Sequence, residues 1–150
     1  NQFVATGKVS LEMRNLVRDP MDLTAAMLAR CGGKGRFFGN HRQLMATQAQ
    51  WANGSKLSEA TIDLLEAQNI VGFMQGAYTE LGLDKIMAQR GVTAAQGKAC
   101  LADKAAFDTV IKMTDEATDV LKINSTPTLL INGKIVEGHD FATLKPLLSK

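Results

Sequence analysis

The scarcest side chains with nucleophilic, redox or metal-binding chemistry are Cys31, Cys100, His41 and His139, two cysteines and two histidines in all. A dithiol redox centre needs its sulfurs in a Cys-x-x-Cys pair at a helix start, where the helix dipole lowers the pKa of the attacking thiol. Cys31 and Cys100 lie far apart in sequence and cannot form one. Two thiolates are too few for a four-cysteine zinc site, and adding both histidines gives four ligands with none of the spacing that metal sites use. No metal is expected. His41 sits in a polar run with Arg42 and Gln43 and reads as a solvated helix residue. His139 follows Gly138 ahead of a helix cap and reads as a turn residue rather than a base. Lys34, Arg36 and Arg42 beside Phe37 and Phe38 make too small a basic, aromatic patch for a nucleic-acid site.

The elements that must carry these residues fit in one domain. The chain has 150 residues, 45% of them hydrophobic and 21% charged, a composition able to bury a core. Its net charge of +2 gives no reason to expect nucleic acid or an anionic membrane as partner. No run approaches the roughly 18 apolar residues of a membrane span, and Asn1 to Lys8 has no signal-peptide pattern. Because the first residue is Asn1 rather than Met, the chain is expected to be a processed or trimmed product.

Alternation of Val9, Leu11 and Met13 with polar neighbours predicts a half-buried strand over 8–14. Asp19-Pro20 predicts a helix start and Gly32-Gly33 its end, with Leu23, Ala26, Met27 and Arg30 between. The middle of the chain is helical in period. Helices are expected from about Asn40 to Ala52, from Ser58 through Glu66, from Asp84 to Gln89, from Thr93 through Cys100, and from an Asp103 cap through Thr114. Glycines 72, 76, 82 and 97 blur the boundaries. Met13, Met27, Met45, Met74, Met87 and Met113 fall mostly at core spacing, so packing is expected of them rather than a peptide groove. Trp51 and Tyr78 are expected to anchor the helical part. After Lys122 the pattern changes. Thr128–Ile131, Asn132-Gly133 and Lys134–Val136 predict a hairpin, and Asp140 caps a last helix in which Pro146 should force a kink or sit in an early turn. Strands at both ends with helices between them point to a helical insertion within a small sheet domain.

The run Leu121-Lys122-Ile123-Asn124-Ser125-Thr126-Pro127-Thr128, followed by an apolar strand and Asn132-Gly133, resembles the cis-proline loop and hairpin of the thioredoxin superfamily. With the helical middle, the stretch Gly7–Arg14, the helix Asp19–Cys31 and Ala99-Cys100-Leu101-Ala102-Asp103, the chain resembles DsbA-like thiol:disulfide oxidoreductases. The likeness is weakest over Asn53–Tyr78. It implies an α/β fold (α+β by content), thioredoxin-like and N-terminally incomplete. A thioredoxin-like part is expected over 1–19 and 122–150, and an inserted helical domain over 20–121, between the first strand and the C-terminal hairpin. Asn1 to Thr6 would be the tail of the first helix. The Cys-x-x-Cys and at least one central strand would precede the chain, which should then be inactive alone.

The resemblance also implies a cis Pro127 that turns the Thr126 main chain outward to pair with an extended substrate, as added strands do. Ser125, Thr126 and Pro127 are thus the expected substrate-binding residues, with the Thr126 side chain close to the redox sulfurs. It implies an oxidising, periplasmic or otherwise secreted bacterial location, in which Cys31 and Cys100 would form a structural disulfide. The alternative is two buried, unpaired thiols. The expected partners are unfolded or extended proteins and a membrane or soluble redox partner, with no cofactor. A strand edge left open by the missing segment could pair two chains into a dimer. The competing readings are a redox-inactive peptide-binding protein of the same fold, and a chain whose helical middle docks a partner protein.

Overall fold

Local sequence signals place most of the helix starts. The structure, a computed structural model, describes residues 3–148. Asp19 opens α1 (Pro20–Arg30): its carboxylate accepts hydrogen bonds from the Met21 and Asp22 amides, both at 2.8 Å, and Pro20 takes the first helical position, where its missing N–H is not needed. Ser58 caps α4 (Glu59–Glu66) and Asn69 caps α5 (Ile70–Glu80). Thr93 and Gln96 satisfy each other's amides in a capping box ahead of α7 (Ala94–Leu101). Asp103 accepts from the Ala106 amide at the start of α8 (Lys104–Asp115). Between these lie α2 (Lys34–Ala46), α3 (Gln48–Trp51) and α6 (Leu83–Ala88), and a π-helical turn, Glu116–Val120, follows α8. The chain ends in β1 (Leu129–Ile131), β2 (Lys134–Val136) and α9 (Phe141–Leu148).

The chain divides into two compact units, 17–112 and the pair of segments 1–16 and 113–150. In the first unit α1 packs on α2, α5 and α7. Its residues Leu23 to Ala29 are buried without a break, as expected of a helix that is apolar or small-sided all round. Thr24 joins that run at no polar cost because its hydroxyl donates to the Pro20 carbonyl at 2.8 Å. Trp51 and Tyr78 are buried in this unit, and the Trp51 indole donates to the Leu44 carbonyl at 2.9 Å, folding α3 back on the end of α2. Glu80 accepts from the Ser58 amide and hydroxyl and from the Thr61 hydroxyl, at 2.7 to 2.8 Å, tying the start of α4 to the end of α5. These bonds hold the Glu80 carboxyl below its ordinary pKa, the Ser58 amide first among them. The Cys31 and Cys100 sulfurs are bonded at 2.01 Å, with Cα atoms 5.6 Å apart, joining the residue after α1 to α7.

Several sequence expectations are corrected. No strand forms over 8–14; among the described residues the sheet has two strands, β1 and β2. The alternation is real, but among the described residues neither β1 nor β2 pairs with it. This stretch is tied instead by Arg14, which donates to Glu12 at 2.7 Å and to Glu116 at 2.9 Å. Of the expected helix tail, Asn1 and Gln2 lie outside the described residues, and Phe3 to Gly7 form turns. The α2 helix starts at Lys34, not Asn40, because Gly35 does not take positive φ; Gly32 and Gly33 do, and Gly33 is the cap. The helical period extends over α5, but its bounds do not follow from the sequence, where Gly72 and Gly76 blur them. Gly76 is there for space: a Cβ would stand 2.6 Å from the Thr61 hydroxyl oxygen. Pro146 neither ends nor opens α9; it stands at the sixth of eight residues, so the Ala142 carbonyl loses its i+4 donor. Met27, Met74 and Met87 are buried but Met45 is exposed. His41 is half-buried, stacked on Phe37 with ring centroids 5.7 Å apart, and burial lowers its pKa.

The second unit is built differently. Every described residue that is fully buried lies in 17–112, whereas Leu130, Ile135, Phe141 and Leu147 in the hairpin and α9 are all exposed. A pair of three-residue strands is marginal without a covered face.

Two stability predictions follow from the helical unit. Replacing both cysteines by Ala removes a closure between residues separated by 69 positions, and a chain-entropy argument puts the loss at about 4 kcal/mol. Urea unfolding followed by circular dichroism should show that loss as a lower midpoint, with a steeper slope because the unfolded chain expands without the cross-link. Gly97→Ala should destabilise, although Ala normally favours a helix interior by about 1 kcal/mol. The added methyl would run into the buried Tyr78 ring and hydroxyl, and overpacking of that kind costs about 1–3 kcal/mol. A rise in melting temperature for this variant would refute the packing argument.

Candidate functional site

The candidate site is built on the hairpin unit, where main-chain turns are fixed by a short set of polar contacts. The chain leaves the π-helical turn with Lys122 at φ +55°, and the Ile123 amide donates to the Ala117 carbonyl at 2.8 Å. The Thr128 hydroxyl donates to the Ser125 carbonyl at 2.7 Å and closes the loop between them. Within it the Thr126–Pro127 peptide bond is cis, and Ser125, Thr126 and Pro127 are all exposed. Pro127 has no amide hydrogen and stands just before β1, so no ladder bond is lost.

Asn132 and Gly133, at φ +50° and +78°, make the hairpin turn and set the register Leu129 to Val136, Leu130 to Ile135 and Ile131 to Lys134. After β2 the chain turns at Gly138, at φ +100°, where a Cβ would collide with the Thr143 side chain. Asp140 then caps α9, accepting from the Thr143 amide at 2.8 Å and the Thr143 hydroxyl at 2.9 Å. These bonds, the amide first, hold the Asp140 carboxyl below its ordinary pKa. Between Gly138 and Asp140, His139 reaches back so that its Nδ1 lies 2.7 Å from the Pro127 carbonyl oxygen. An open groove of about 400 Å³ is lined by Asn124, Ser125, Thr128, Glu137, Gly138 and His139, with further residues of the same two segments.

Ser125, Thr126 and Pro127 therefore sit together, joined by His139, which the sequence reading took for a plain turn residue. The signal available was a His between a turn glycine and an Asp cap, where neighbours on both sides hold the main chain. Cys31 and Cys100 belong to the helical unit and are bonded to each other, so this chain has no free thiol among its described residues. No group of three or more His, Cys, Asp or Glu among the described residues could hold a metal ion, and no helix is long and apolar enough to cross a membrane. Chemically, the loop leaves residues 125–127 exposed and carries no redox group of its own among the described residues.

An exposed Thr-Pro loop leading into an Asn-Gly hairpin and a closing helix, with a helical unit intervening in chain order, defines a thioredoxin-like fold. Residues 1–150 match the thioredoxin family along their whole length, and the chain belongs to that family. It is 25% identical over 150 residues to a protein of Rickettsia bellii (strain RML369-C) named "Putative protein-disulfide oxidoreductase", covering 99% of this chain and 49% of that protein. A relative of the same name from Rickettsia felis (strain ATCC VR-1525 / URRWXCal2) is 26% identical over 150 residues, covering 99% of this chain and 46% of its own length. The chain thus spans about half the length of these curated relatives. Among solved structures it is similar to the crystal structure of protein-disulfide isomerase from Novosphingobium aromaticivorans, with a TM-score of 0.77 and 30% identity, covering 91% of this chain and 70% of that one.

The Asp140 cap gives this unit a pH dependence of defined sign. A carboxylate whose folded pKa is depressed contributes above its unfolded pKa, and that contribution is lost as pH falls through the folded value. In an NMR titration the Thr143 amide should therefore shift with a midpoint below that of an unstructured Asp. Asp140→Ala should loosen the start of α9 at neutral pH and make no difference once the pH is below that point. An amide whose midpoint lies at or above that of an unstructured Asp would refute the cap.

Proposed function

We propose that this chain is the C-terminal portion of a DsbA-like thiol-disulfide oxidoreductase that exchanges disulfides with substrate proteins, the Ser125-Thr126-Pro127 loop contacting the substrate. The observation that carries the proposal is the match of residues 1–150 to the thioredoxin family, joined to relatives named for protein-disulfide chemistry. The reacting Cys-x-x-Cys is then supplied from outside residues 1–150, which agrees with a hairpin unit that holds no cysteine and leaves Leu130, Ile135 and Phe141 uncovered.

In the exchange, a substrate thiolate attacks one sulfur of the Cys-x-x-Cys disulfide; that S–S bond breaks, a mixed disulfide forms and the second enzyme thiolate leaves. A second substrate thiolate then attacks the substrate sulfur of the mixed disulfide, closing the substrate disulfide. Two electrons pass from substrate to enzyme, and the two protons the substrate thiols give up are matched by two on the reduced enzyme pair. The role of the loop is to hold the substrate main chain in extended form beside that pair, with affinity from main-chain hydrogen bonds and little sequence preference. This reading includes a periplasmic or otherwise secreted location, a membrane or soluble partner that re-oxidises the pair, and an open sheet edge able to join two chains.

The second reading, a redox-inactive protein of the same fold that binds extended peptides or docks a partner, rests on the bonded state of both cysteines. Sequencing the coding region ahead of Asn1 separates the two. A Cys-x-x-Cys within the preceding few dozen residues is expected, and the full-length product should oxidise a two-cysteine peptide. Absence of that motif sinks the oxidoreductase reading and leaves peptide binding.

A further inference from the structure

The Pro127 carbonyl has an acceptor's chemistry only, so the 2.7 Å contact with His139 fixes where the imidazole hydrogen is: Nδ1 carries it and donates. A neutral ring in that tautomer and a protonated ring both donate from this nitrogen. The ring does not reach the carbonyl by chance of a flexible arm. Gly138 before it is held to a positive φ with no room for a Cβ beside Thr143, and Asp140 after it is pinned by two bonds to Thr143. The main chain that bears His139 is thus set by α9, and the carbonyl it grips belongs to the loop. No other side-chain hydrogen bond is described to the Ser125–Pro127 main chain except that of Thr128 to Ser125. Among the described residues, Thr128 holds the Ser125 end of the loop and His139 the Pro127 end.

We infer that His139 is a positioning residue for the Ser125-Thr126-Pro127 loop, its Nδ1–H holding the Pro127 carbonyl and so fixing the loop main chain offered to substrate; this rests on the substrate-loop reading under Proposed function. The closing turn before α9 thereby takes a part in substrate binding. The contact also dictates which replacement should work. The amide nitrogen of Asn is attached at the same distance along the side chain as Nδ1 of His, whereas that of Gln lies one bond further out. Asn can therefore replace the donor and Ala cannot.

The test has one readout on the free protein and one on binding. Ring ¹⁵N shifts of His139 should show hydrogen on Nδ1, the minority form of a free neutral imidazole. His139→Ala should move the Thr126 and Thr128 amide resonances and weaken binding of reduced, carboxymethylated α-lactalbumin about five-fold, the size of one net hydrogen bond. His139→Asn should restore both readouts to within about two-fold of the unsubstituted protein in affinity. A ring with hydrogen on Nε2 alone, unmoved loop amides in His139→Ala, or failure of Asn to restore what Ala loses overturns the inference while the substrate-loop reading stands. If the unsubstituted protein does not bind the unfolded probe, the substrate-loop reading falls, and the substrate role of His139 falls with it. The ring and amide shifts distinguish that outcome from a failure of the His139 contact itself.

Discussion

Burial of α1 on all sides is the constraint on which the helical unit depends. A helix that offers no solvent face needs neighbours on several sides, and α2, α5 and α7 supply them. Small residues make this feasible: Ala25, Ala26 and Ala29 let the neighbouring backbones approach, while Leu23, Met27 and Leu28 fill the space between. The end of α1 is then held by more than packing. The Asn40 amide nitrogen donates to the Ala29 and Cys31 carbonyls at 3.4 and 2.9 Å, and the sulfur of Cys31 is bonded to α7. Carbonyls that a helix leaves without partners are thus taken up by a side chain from the next helix, at the same corner where the covalent link is made.

The hairpin unit obeys a different rule. None of its described side chains is fully buried, so its described geometry rests largely on hydrogen bonds and on turn residues whose dihedral angles leave few alternatives. Lys122, Asn132, Gly133 and Gly138 all take positive φ within a stretch of seventeen residues, from 122 to 138. Turns of this kind position a loop at low cost in sequence length, and loops set on such scaffolds commonly carry function. The same features make the unit weak by itself, because surface ion pairs such as those of Arg14 contribute about 0–1 kcal/mol each.

Much of this was legible in the sequence where a local rule has one dominant physical cause. Asp19-Pro20, Thr93 with Gln96, and Asn132-Gly133 each match an orphan donor or a positive φ with the residue that satisfies it. The misses have physical reasons too. Gly72 and Gly76 blur the bounds of α5 until Thr61 is seen packed against the second of them, which only tertiary structure reveals. Val9, Leu11 and Met13 alternate as a strand would, but alternation states a preference for pairing and cannot supply the partner. The cis Thr126–Pro127 bond follows from the family resemblance, whereas the His139 contact does not, since it joins positions twelve residues apart through a turn whose path no periodicity encodes.

The placement of the aromatic chromophores has a practical consequence. The chain has one tryptophan and one tyrosine, and both are buried in 17–112. Intrinsic fluorescence therefore reports on the helical unit and is silent about the loop and hairpin. A sharp emission change on heating would describe the melting of α1 and its neighbours, and the other unit could loosen at a lower temperature unseen. Any ligand of the loop that leaves the helical unit undisturbed will likewise be invisible to this signal, so apparent lack of response in an emission titration says nothing about occupancy there.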